Sequence, residues 1–448
     1  MTETQVPASG KPTLWGLNGY QWAVLFAAWL GWGFDVFDGL LFNYVSKFCV
    51  PDLLHLHAAP NVIARLSIIW TARATSVLLI GWGLGGLMFG RIADRIGRSR
   101  TLLFTIMLYG VGTAACALAP SMPLLFLFRF ISALGIGGEW AAGSALVAEV
   151  VPEKRRVEAG ALLYTSASAG LFLAVTVNKY FSTEFGATRP DLAWRYVMAC
   201  GLIPVAFTLM IRFLVKEPER WKNIAGKVKA ATISDLFLPE NRRLTLSGFL
   251  PAVVSLITWW SCNSFIQIVA SNMAGAWARA HGFDKLHSGA LAQNWIEIAS
   301  NSFNLGGLIG TLATIPLAKV MGRKTMFVIY FVLSGVSLLA AFGHQWSPYQ
   351  QLLMYFPIGL TVFGVFGSYT FYLPELFPTH IRGTGAGFCY NVGRLITAVG
   401  PLLVAQVAIS SDPVAGARHA LFYVGFVPLI GLLFLPWIIE TKGKDLTD

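Results

Sequence analysis

Five charged residues stand out because they lie inside long apolar stretches of the sequence. Asp35 and Asp38 interrupt the first apolar run, Arg129 and Glu139 interrupt the fourth, and Arg394 interrupts the eleventh. A charge near the centre of a bilayer costs about 2.5–3.5 kcal/mol even on lenient insertion scales. Charges that are kept there despite this cost usually serve an ion or a polar solute. The pattern therefore predicts a path for something polar across a membrane.

The first and fourth runs contain the residues that suit proton transfer. Asp35 and Asp38 are three positions apart and share one helix face. At about 1.5 Å per residue, Asp38 and Arg129 reach similar depths, so we expect a salt bridge between them. Two close carboxylates in a low dielectric cannot both ionise cheaply. We expect Asp35, nearer the midplane, to carry a proton, coupled to Asp38 and Arg129; the alternative is a static pair that holds the two helices together.

Arg394 is the residue best suited to bind an anion. It lies near mid-depth in its run, and Tyr390 and Asn391 share its face at helical spacing. A guanidinium can bind a carboxylate through two parallel hydrogen bonds. The alternative is that Arg394 pairs with Glu297 or Asp35 on another helix.

Two other runs carry polar stripes at helical spacing. Glu297 and Asn301 lie in the eighth run, and Asn263 and Gln267 lie in the seventh. We expect such stripes to face a water-filled cavity and to contact substrate, although amides also join helices inside membranes. Four aromatic residues are further candidates for the cavity wall, with simple packing as the alternative: Trp259, Trp260, Tyr369 and Tyr372.

The composition is typical of a membrane protein. Of the 448 residues, 55% are hydrophobic and 12% are charged, whereas a soluble domain carries about 25% charged residues. Apolar runs long enough to cross roughly 30 Å of hydrocarbon recur along the chain. Each must be a helix, because unpaired backbone groups find no water in lipid. Twelve spans are predicted, beginning near Tyr20, Thr75, Thr101, Met122, Glu158, Trp194, Leu244, Gly289, Thr325, Tyr349, Thr384 and His419.

The net charge of +11 is unevenly distributed. Lys and Arg concentrate in alternate loops, and this positive-inside bias predicts that both termini are cytoplasmic. Short loops suggest a bacterial inner membrane. Nucleic-acid binding would need one basic face on a folded domain, which this distribution excludes. The sequence has no nucleotide-binding motif and no metal-ligand spacing, so we expect no cofactor, no metal and no enzyme activity. The lipid bilayer is the expected surrounding, and no obligate protein partner is implied.

An internal repeat divides the chain into two halves. Glu149-x-x-Pro-x-x-x-Arg156 recurs 226 residues later as Glu375-x-x-Pro-x-x-x-Arg382. Paired halves are a common plan for transporters, with the ligand near the midplane at their interface. The predicted parts are a cytoplasmic tail 1–18, six-helix halves 19–215 and 244–440, a cytoplasmic linker 216–243 between them, and a cytoplasmic tail 441–448.

Several segments resemble a known family. Residues 90–100 resemble the signature of the loop between spans two and three in the major facilitator superfamily. Residues 129–140 resemble the fourth span of its metabolite and sialate proton symporters. Asp35 and Asp38 are similar to the paired aspartates in the first span of those symporters and of the aromatic-acid symporters. Residues 216–221 and 440–443 are similar to segments of the sugar-porter branch.

The resemblance implies an all-α membrane protein whose twelve helices alternate between outward-facing and inward-facing states. It also implies that charged residues at the cytoplasmic ends control this switch. They are Asp94, Arg95 and Arg98 in the first copy of the loop signature, with Glu149–Arg156 and Glu375–Arg382 as two matching charge pairs. The second copy departs from the first because Lys319 stands where Asp94 is expected.

We therefore predict a multi-pass secondary active transporter. With no ATPase motif in the sequence, an ion gradient has to drive it, and an anion entering a cell that is negative inside needs cotransported positive charge. The prediction is symport of protons with a small organic anion, such as a sugar acid, an aromatic acid or a short carboxylate. A neutral sugar or polyol is the alternative substrate, and a non-transporting membrane sensor is a remote alternative.

Overall fold

The computed structural model describes residues 14–57, 59–185, 189–204, 206–207, 232–409, 413–444 and 446. Within these ranges the chain forms helices and turns, with no strand. Ten of the helices are long and apolar enough to cross a membrane. Most of the predicted tail 1–18 and of the predicted linker 216–243 lies outside the described residues, as do residues 445 and 447–448 of the predicted tail 441–448. The predicted domain boundaries therefore stay predictions.

In the described part of the chain, six helices form the first group. They are α1 (Gly19–Leu53), α2 (Pro60–Ile96), α3 (Arg98–Cys116), α4 (Met122–Val150), α5 (Arg156–Phe185) and α6 (Pro190–Ala199). The predicted third and sixth spans are α3 and α6, which are not among the ten apolar helices. Two arginines at the start of α3, Arg98 and Arg100, lower its mean hydropathy. α6 contains 10 residues, which is shorter than the length needed to cross a membrane.

Six more helices form the second group. They are α7 (Arg242–Ala280), α8 (Lys285–Met321), α9 (Arg323–Gly343), α10 (Pro348–Leu376), α11 (Arg382–Ala408) and α12 (Pro413–Val424, continuing as Phe426–Gly431 and Leu432–Phe434). A short 3₁₀ helix, Ile233–Phe237, precedes them. It begins with a capping box in which Thr232 and Asp235 satisfy each other's backbone N–H groups.

Glycines let the helices of each group approach closely. A Cβ added to Gly137 in α4 would lie 2.0 Å from the carbonyl oxygen of Trp82 in α2. A Cβ added to Gly170 in α5 would lie 2.0 Å from the carbonyl oxygen of Gly33 in α1. In lipid, helices associate mainly through such close packing, because lipid tails are as apolar as the side chains. These contacts fix how each helix is rotated about its own axis.

The middle of α10 is irregular. Its segments are the helix Pro348–Ile358, a π turn Gly359–Phe363, a 3₁₀ turn Gly364–Ser368 and the helix Tyr369–Leu376. A Cβ on Gly359 would lie 2.0 Å from the carbonyl oxygen of Phe303 in α8, so the two backbones touch here. The irregular turns bring Phe363 and Phe366 to the space between the two groups of helices.

The internal repeat is visible in two turns. Gly97 joins α2 to α3 with φ of 110°, and Gly322 joins α8 to α9 with φ of 86°. Both values lie in the left-handed region, which glycine adopts without steric cost. The two groups then pack on each other, α2 against α11 and α5 against α8. The ends of α2, α4, α8 and α10 that carry the repeated charged motifs form one side of the bundle, called the Asp94 side below.

Candidate functional site

A cavity of about 40 Å³ lies between the two groups of helices. The first group lines it from α1, α2 and α5, and the second from α7, α10 and α11. The wall is aromatic and aliphatic, and Arg394 is its one charged side chain among the described residues. An apolar space with a single convergent charge is typical of a small-molecule site.

Arg394 sits inside an aromatic enclosure. Its guanidinium carbon lies 4.2 Å from the ring centre of Trp82 and 4.4 Å from that of Tyr390. These cation–π contacts hold the charge over the ring faces. Its Nη1 donates a hydrogen bond to Oδ1 of Asn391 (2.5 Å), and Asn391 in turn donates to the carbonyl oxygen of Gly387 (2.9 Å). The two residues predicted to share the face of Arg394 therefore hold and orient it.

Several hydrogen-bond donors lie beside the cavity, although its exposed wall is almost wholly apolar. The indole N–H groups of Trp32, Trp82 and Trp259 are buried and have no acceptor among the residues that the structure describes. The hydroxyls of Tyr164 and Tyr390 lie 3.3 Å apart, joining α5 to α11. Indole N–H groups donate and cannot accept. Such a lining suits a solute that is rich in acceptors, as a carboxylate is.

Only some of the predicted aromatic residues reach the cavity. Trp259 and Trp260 line it, whereas Tyr369 and Tyr372 hold α10 against α7. Tyr369 donates to the carbonyl oxygen of Pro251 (2.7 Å), and the hydroxyl of Tyr372 lies 2.6 Å from that of Ser247.

Sequence reasoning missed several wall residues: Trp32, Trp82, Tyr164, Phe363 and Phe366. Aromatic residues make up 13% of the chain, so their number alone could not single these out.

The acidic residues of the first span are deeply buried. Asp35 and Asp38 are 0% exposed, and neither carboxyl has a hydrogen-bond partner in the described part of the chain. Asp35 interacts electrostatically with Glu139 of α4, with Asp38 and with Arg394. Glu139 was noted in the sequence but was not assigned to the site. It is 1% exposed, and only the tertiary structure shows that it faces α1.

The expected salt bridge between Asp38 and Arg129 is not formed. Arg129 instead donates to the backbone carbonyl oxygens of Asp38 (3.2 Å) and Gly39 (2.9 Å). Gly39 has no side chain to cover its carbonyl, and a helical carbonyl oxygen keeps a second lone pair for such a bond. Arg129 therefore ties α4 to the α1 backbone and leaves the Asp38 carboxylate outside the hydrogen bond.

The predicted polar stripes do not line the cavity. Asn263 and Asn301 are partly buried, and Gln267 and Glu297 are exposed. Glu297 also makes no ion pair with Arg394. Glu297 is turned away from the cavity because the face of α8 that carries Gly306 packs against α10. A Cβ on Gly306 would lie 2.2 Å from the carbonyl oxygen of Phe356 in α10. At 100° per residue, Glu297 lies on the opposite face of α8 from Gly306.

Asp94 joins the two groups of helices on the Asp94 side. Its carboxylate accepts hydrogen bonds from the backbone N–H groups of Gly383 (3.1 Å) and Thr384 (2.7 Å) in the first turn of α11. Arg98 pairs with Asp94 (3.1 Å) and donates to the carbonyl oxygen of Thr379 (2.8 Å). A carboxylate at a helix N-terminus satisfies free N–H groups and is favoured by the helix dipole.

One charge pair is expected within each copy of the repeat, but each glutamate pairs with the arginine of the other copy. Arg382 lies 2.8 Å from Glu149, and Arg156 lies 3.9 Å from Glu375. The expected pairing of Glu149 with Arg156 and of Glu375 with Arg382 is therefore corrected. The reason is the packing: α4 ends beside the start of α11, and α10 ends beside the start of α5. Each glutamate thus meets the arginine of the other half.

The second copy of the loop signature uses the opposite charge. Lys319 pairs with Glu158 in the first turn of α5, at the position that corresponds to Thr384 in α11. Arg323 completes this copy by pairing with Glu375 (2.7 Å). Arg95, which was predicted to take part in gating, is exposed and lies outside these clusters.

Comparisons with known proteins agree with this architecture. The family model of the Major Facilitator Superfamily matches residues 24–401. The chain is similar to a "Putative metabolite transport protein" of Haemophilus influenzae, with 28% identity over 439 residues that cover 96% of this chain and 99% of that protein. It is also similar to the sialic acid transporter NanX of Escherichia coli, with 26% identity over 394 residues and 88% of each chain covered.

Among solved structures, the fold is similar to that of the proton:xylose symporter XylE bound to 6-bromo-6-deoxy-D-glucose. The TM-score is 0.74 at 18% identity, with 95% of this chain and 98% of that chain covered. This likeness concerns the fold alone. The expected all-α fold of twelve membrane-spanning helices is confirmed. The protein is an integral membrane transporter, not an enzyme, and it belongs to the Major Facilitator Superfamily.

Proposed function

We propose that the protein is a proton-coupled symporter of a small organic anion. The observation that carries this proposal is the lining of the central cavity, where Arg394 is the one charged side chain among the described residues. NanX, a relative over most of its length, is a sialic acid transporter and so handles an acid. An organic anion is therefore the substrate class that the cavity and the relative both favour.

Arg394 would bind the carboxylate of the substrate. Its guanidinium is fixed from one side by Asn391 and covered on its faces by Trp82 and Tyr390. This leaves N–H groups for a charge-assisted hydrogen bond to the substrate. The unpartnered indole N–H groups of Trp32 and Trp259 would donate to further acceptors of the same solute. The rest of the substrate would pack on aromatic rings.

Substrate and proton would be coupled through Arg394 and Asp35. These two residues interact electrostatically, but no hydrogen bond joins them. The guanidinium stabilises an ionised Asp35. A bound carboxylate brings a negative charge to Arg394 and weakens that stabilisation, so a proton on Asp35 becomes more favourable. Each ligand then raises the affinity for the other, as symport requires.

Transport would proceed by alternating access. The Asp94 side is held closed by buried pairs between the halves, namely Glu149–Arg382 and Arg156–Glu375. We infer that this is the cytoplasmic side, because the positive-inside bias places the basic loops there. Breaking these pairs would open the cavity to the cytoplasm. The proposed location is a bacterial inner membrane with both termini inside.

A neutral sugar remains the second candidate, because the fold is similar to that of a xylose symporter. Sugar hydroxyls both donate and accept, so their sites need acceptor side chains. The predicted amides Asn263 and Gln267 do not line the cavity, nor does the predicted acidic residue Glu297. The structure therefore favours the anion.

The test uses purified protein in liposomes that enclose a pH-sensitive dye. Benzoate, nicotinate, cis,cis-muconate, gluconate, sialate and xylose are added one at a time outside. The proposal expects internal acidification with at least one carboxylate and none with xylose, and expects Arg394→Gln to abolish the response. Acidification with xylose that survives Arg394→Gln would overturn the anion proposal in favour of sugar symport.

A further inference from the structure

Two carboxyl groups meet between α1 and α4, deep inside the first group of helices. Asp35 is 0% exposed and Glu139 is 1% exposed. A Cβ added to Gly31 would lie 2.2 Å from Oε1 of Glu139, so this carboxyl rests on the bare backbone of α1. Gly31 is one helical turn before Asp35, on the same face. The two carboxyls therefore face each other across the helix contact, and they interact directly.

No donor of the described residues reaches these oxygens. Both oxygens of Asp35 and both oxygens of Glu139 lack an N–H or O–H partner. Burying one unpaired carboxylate is already costly, and burying two in contact adds their repulsion. Two carboxyl groups can attract each other only if one of them carries a proton and donates it to the other. The proton itself is the missing donor.

We propose that Asp35 and Glu139 share one proton, and that this pair, in place of Asp35 with Asp38, is the proton site of transport. Binding one H⁺ changes the net charge of the pair from −2 to −1, and releasing it restores −2. The proton bonds to an oxygen of one carboxyl and hydrogen-bonds to the other. This inference rests on the proposed symport and names the residues that would hold its proton.

The surrounding charged and titratable groups support this assignment. Arg394 of α11 faces Asp35 and partly offsets the remaining negative charge. Asp38 lies on the same helix face, and Arg129 of α4 interacts with it. Tyr109 of α3 is buried beside all three acids, and its hydroxyl has no partner among the residues described. Among the described residues, Arg394 is thus the one cation that links the carboxyl pair to the cavity.

The first test needs no substrate. Infrared spectra of the purified protein are recorded in the region of the protonated carboxyl C=O stretch, at pH values from about 5 to about 9, where exposed carboxyls are ionised. The proposal expects a band at neutral pH in the wild type. It expects Asp35→Asn and Glu139→Gln each to shift the band, because the remaining buried carboxyl then hydrogen-bonds to an amide and no longer shares a proton with a second carboxyl. Asp38→Asn should keep it.

Gly31→Ala tests the geometry without removing a titratable group. The added methyl would displace the Glu139 carboxyl from α1, so the band should weaken or move. Gly19→Ala in the same helix is the control, because nothing lies within 4 Å of its added Cβ. A band whose position is unchanged by Glu139→Gln and by Gly31→Ala but shifts or disappears in Asp38→Asn would overturn the proposal.

Transport separates this inference from the proposed function. In liposomes, Glu139→Gln should keep exchange of a transported carboxylate probe across the membrane but lose accumulation driven by a pH gradient. Full pH-driven accumulation by Glu139→Gln would refute the shared proton while leaving symport intact. If no probe is transported by the wild type but the infrared pattern holds, the symport proposal fails and the carboxyl pair stands.

Discussion

Arg382 donates a 2.8 Å hydrogen bond from Nη1 to Oε1 of Glu149, which lies 233 residues earlier in the other half. Both side chains are fully buried. The corresponding pair of the repeat, Arg156 and Glu375, is longer at 3.9 Å. Two equivalent ion pairs thus join the halves: Arg382–Glu149 is the shorter pair and Arg156–Glu375 is the longer one. The shorter pair should contribute more to holding the Asp94 side shut.

Replacing the two repeat arginines should therefore have unequal effects. Arg382→Gln breaks a close buried pair, but Arg98 still pairs with Glu149 (3.1 Å), so the cost should stay below the about 3–5 kcal/mol of an uncompensated buried charge. Arg156→Gln should cost less still. Hydrogen–deuterium exchange of residues 90–98 would rise more in Arg382→Gln than in Arg156→Gln, because this segment packs against α11. Equal exchange in the two variants would show that the difference in distance has no energetic consequence.

Substituting Arg394 should separate charge from geometry in anion binding. Arg394→Gln loses the charge, and a lost charge-assisted hydrogen bond of about 1.5–3 kcal/mol weakens affinity roughly ten-fold to 150-fold. Arg394→Lys keeps the charge without the planar fork, so its affinity should lie between those of the wild type and Arg394→Gln. Titration of tryptophan fluorescence with a carboxylate probe measures this. Arg418→Gln, an arginine away from the cavity, is the control and should bind normally.

Trp82 should contribute to the same affinity in a smaller way. Trp82→Phe removes a buried indole N–H that has no acceptor among the described residues and weakens the 4.2 Å contact with the Arg394 guanidinium. A cation–π contact of about 0.5–1 kcal/mol corresponds to a loss of a few-fold. The partly exposed Trp437 provides the matched control, since Trp437→Phe leaves the cavity unchanged. An unaltered dissociation constant in Trp82→Phe would argue against a role for this indole.

Glycine packing between α2 and α4 should be sensitive to a single methyl group. The Cβ of Gly137→Ala would lie 2.0 Å from the carbonyl oxygen of Trp82, so the helices have to move apart. Overpacking of this kind costs about 1–3 kcal/mol. Gly289→Ala has open space around its Cβ and should stabilise the helix by about 0.5–1 kcal/mol. Thermal unfolding in detergent would show opposite shifts in Tm, and equal shifts would contradict the packing argument.

Glu440 gives a pH dependence outside the membrane spans. Burial alone would raise its pKa, but hydrogen bonds from the backbone N–H groups of Arg323 and Lys324 outweigh burial and hold the pKa of Glu440 below its ordinary value. The ionised form therefore stabilises the folded state above the ordinary pKa of about 4.3, and this stabilisation is lost as the pH falls through the lowered pKa.

Glu440→Gln should accordingly destabilise the protein at neutral pH and differ little from the wild type in strong acid. Thermal unfolding across this pH range is the measurement. The exposed Glu240 supplies the control, because Glu240→Gln should leave the pH profile unchanged. A constant difference between Glu440→Gln and the wild type at all pH values would rule out ionisation as the cause.

Hydropathy and repetition were enough to predict the membrane class, the twelve spans and the two-fold plan. These are properties of the linear chain: the length of an apolar run sets whether a helix can cross the bilayer, and a motif repeated at one spacing marks a duplicated half. The depth of a charge within its run follows from the same counting. Arg394 was placed near mid-depth in its span on that basis, and in the structure it lines the cavity between the two groups of helices.

Partners across helices were decided only by the tertiary structure. Counting predicts depth but not the rotation of a helix about its axis, which is set by contacts between residues far apart in the chain. Glycine packing turns Glu297 away from Arg394, and the bare backbone at Gly31 brings Glu139 to Asp35. The exchange of arginines between the halves likewise depends on which helix ends meet. Depth is a local property of the sequence, whereas direction is a property of the packed bundle.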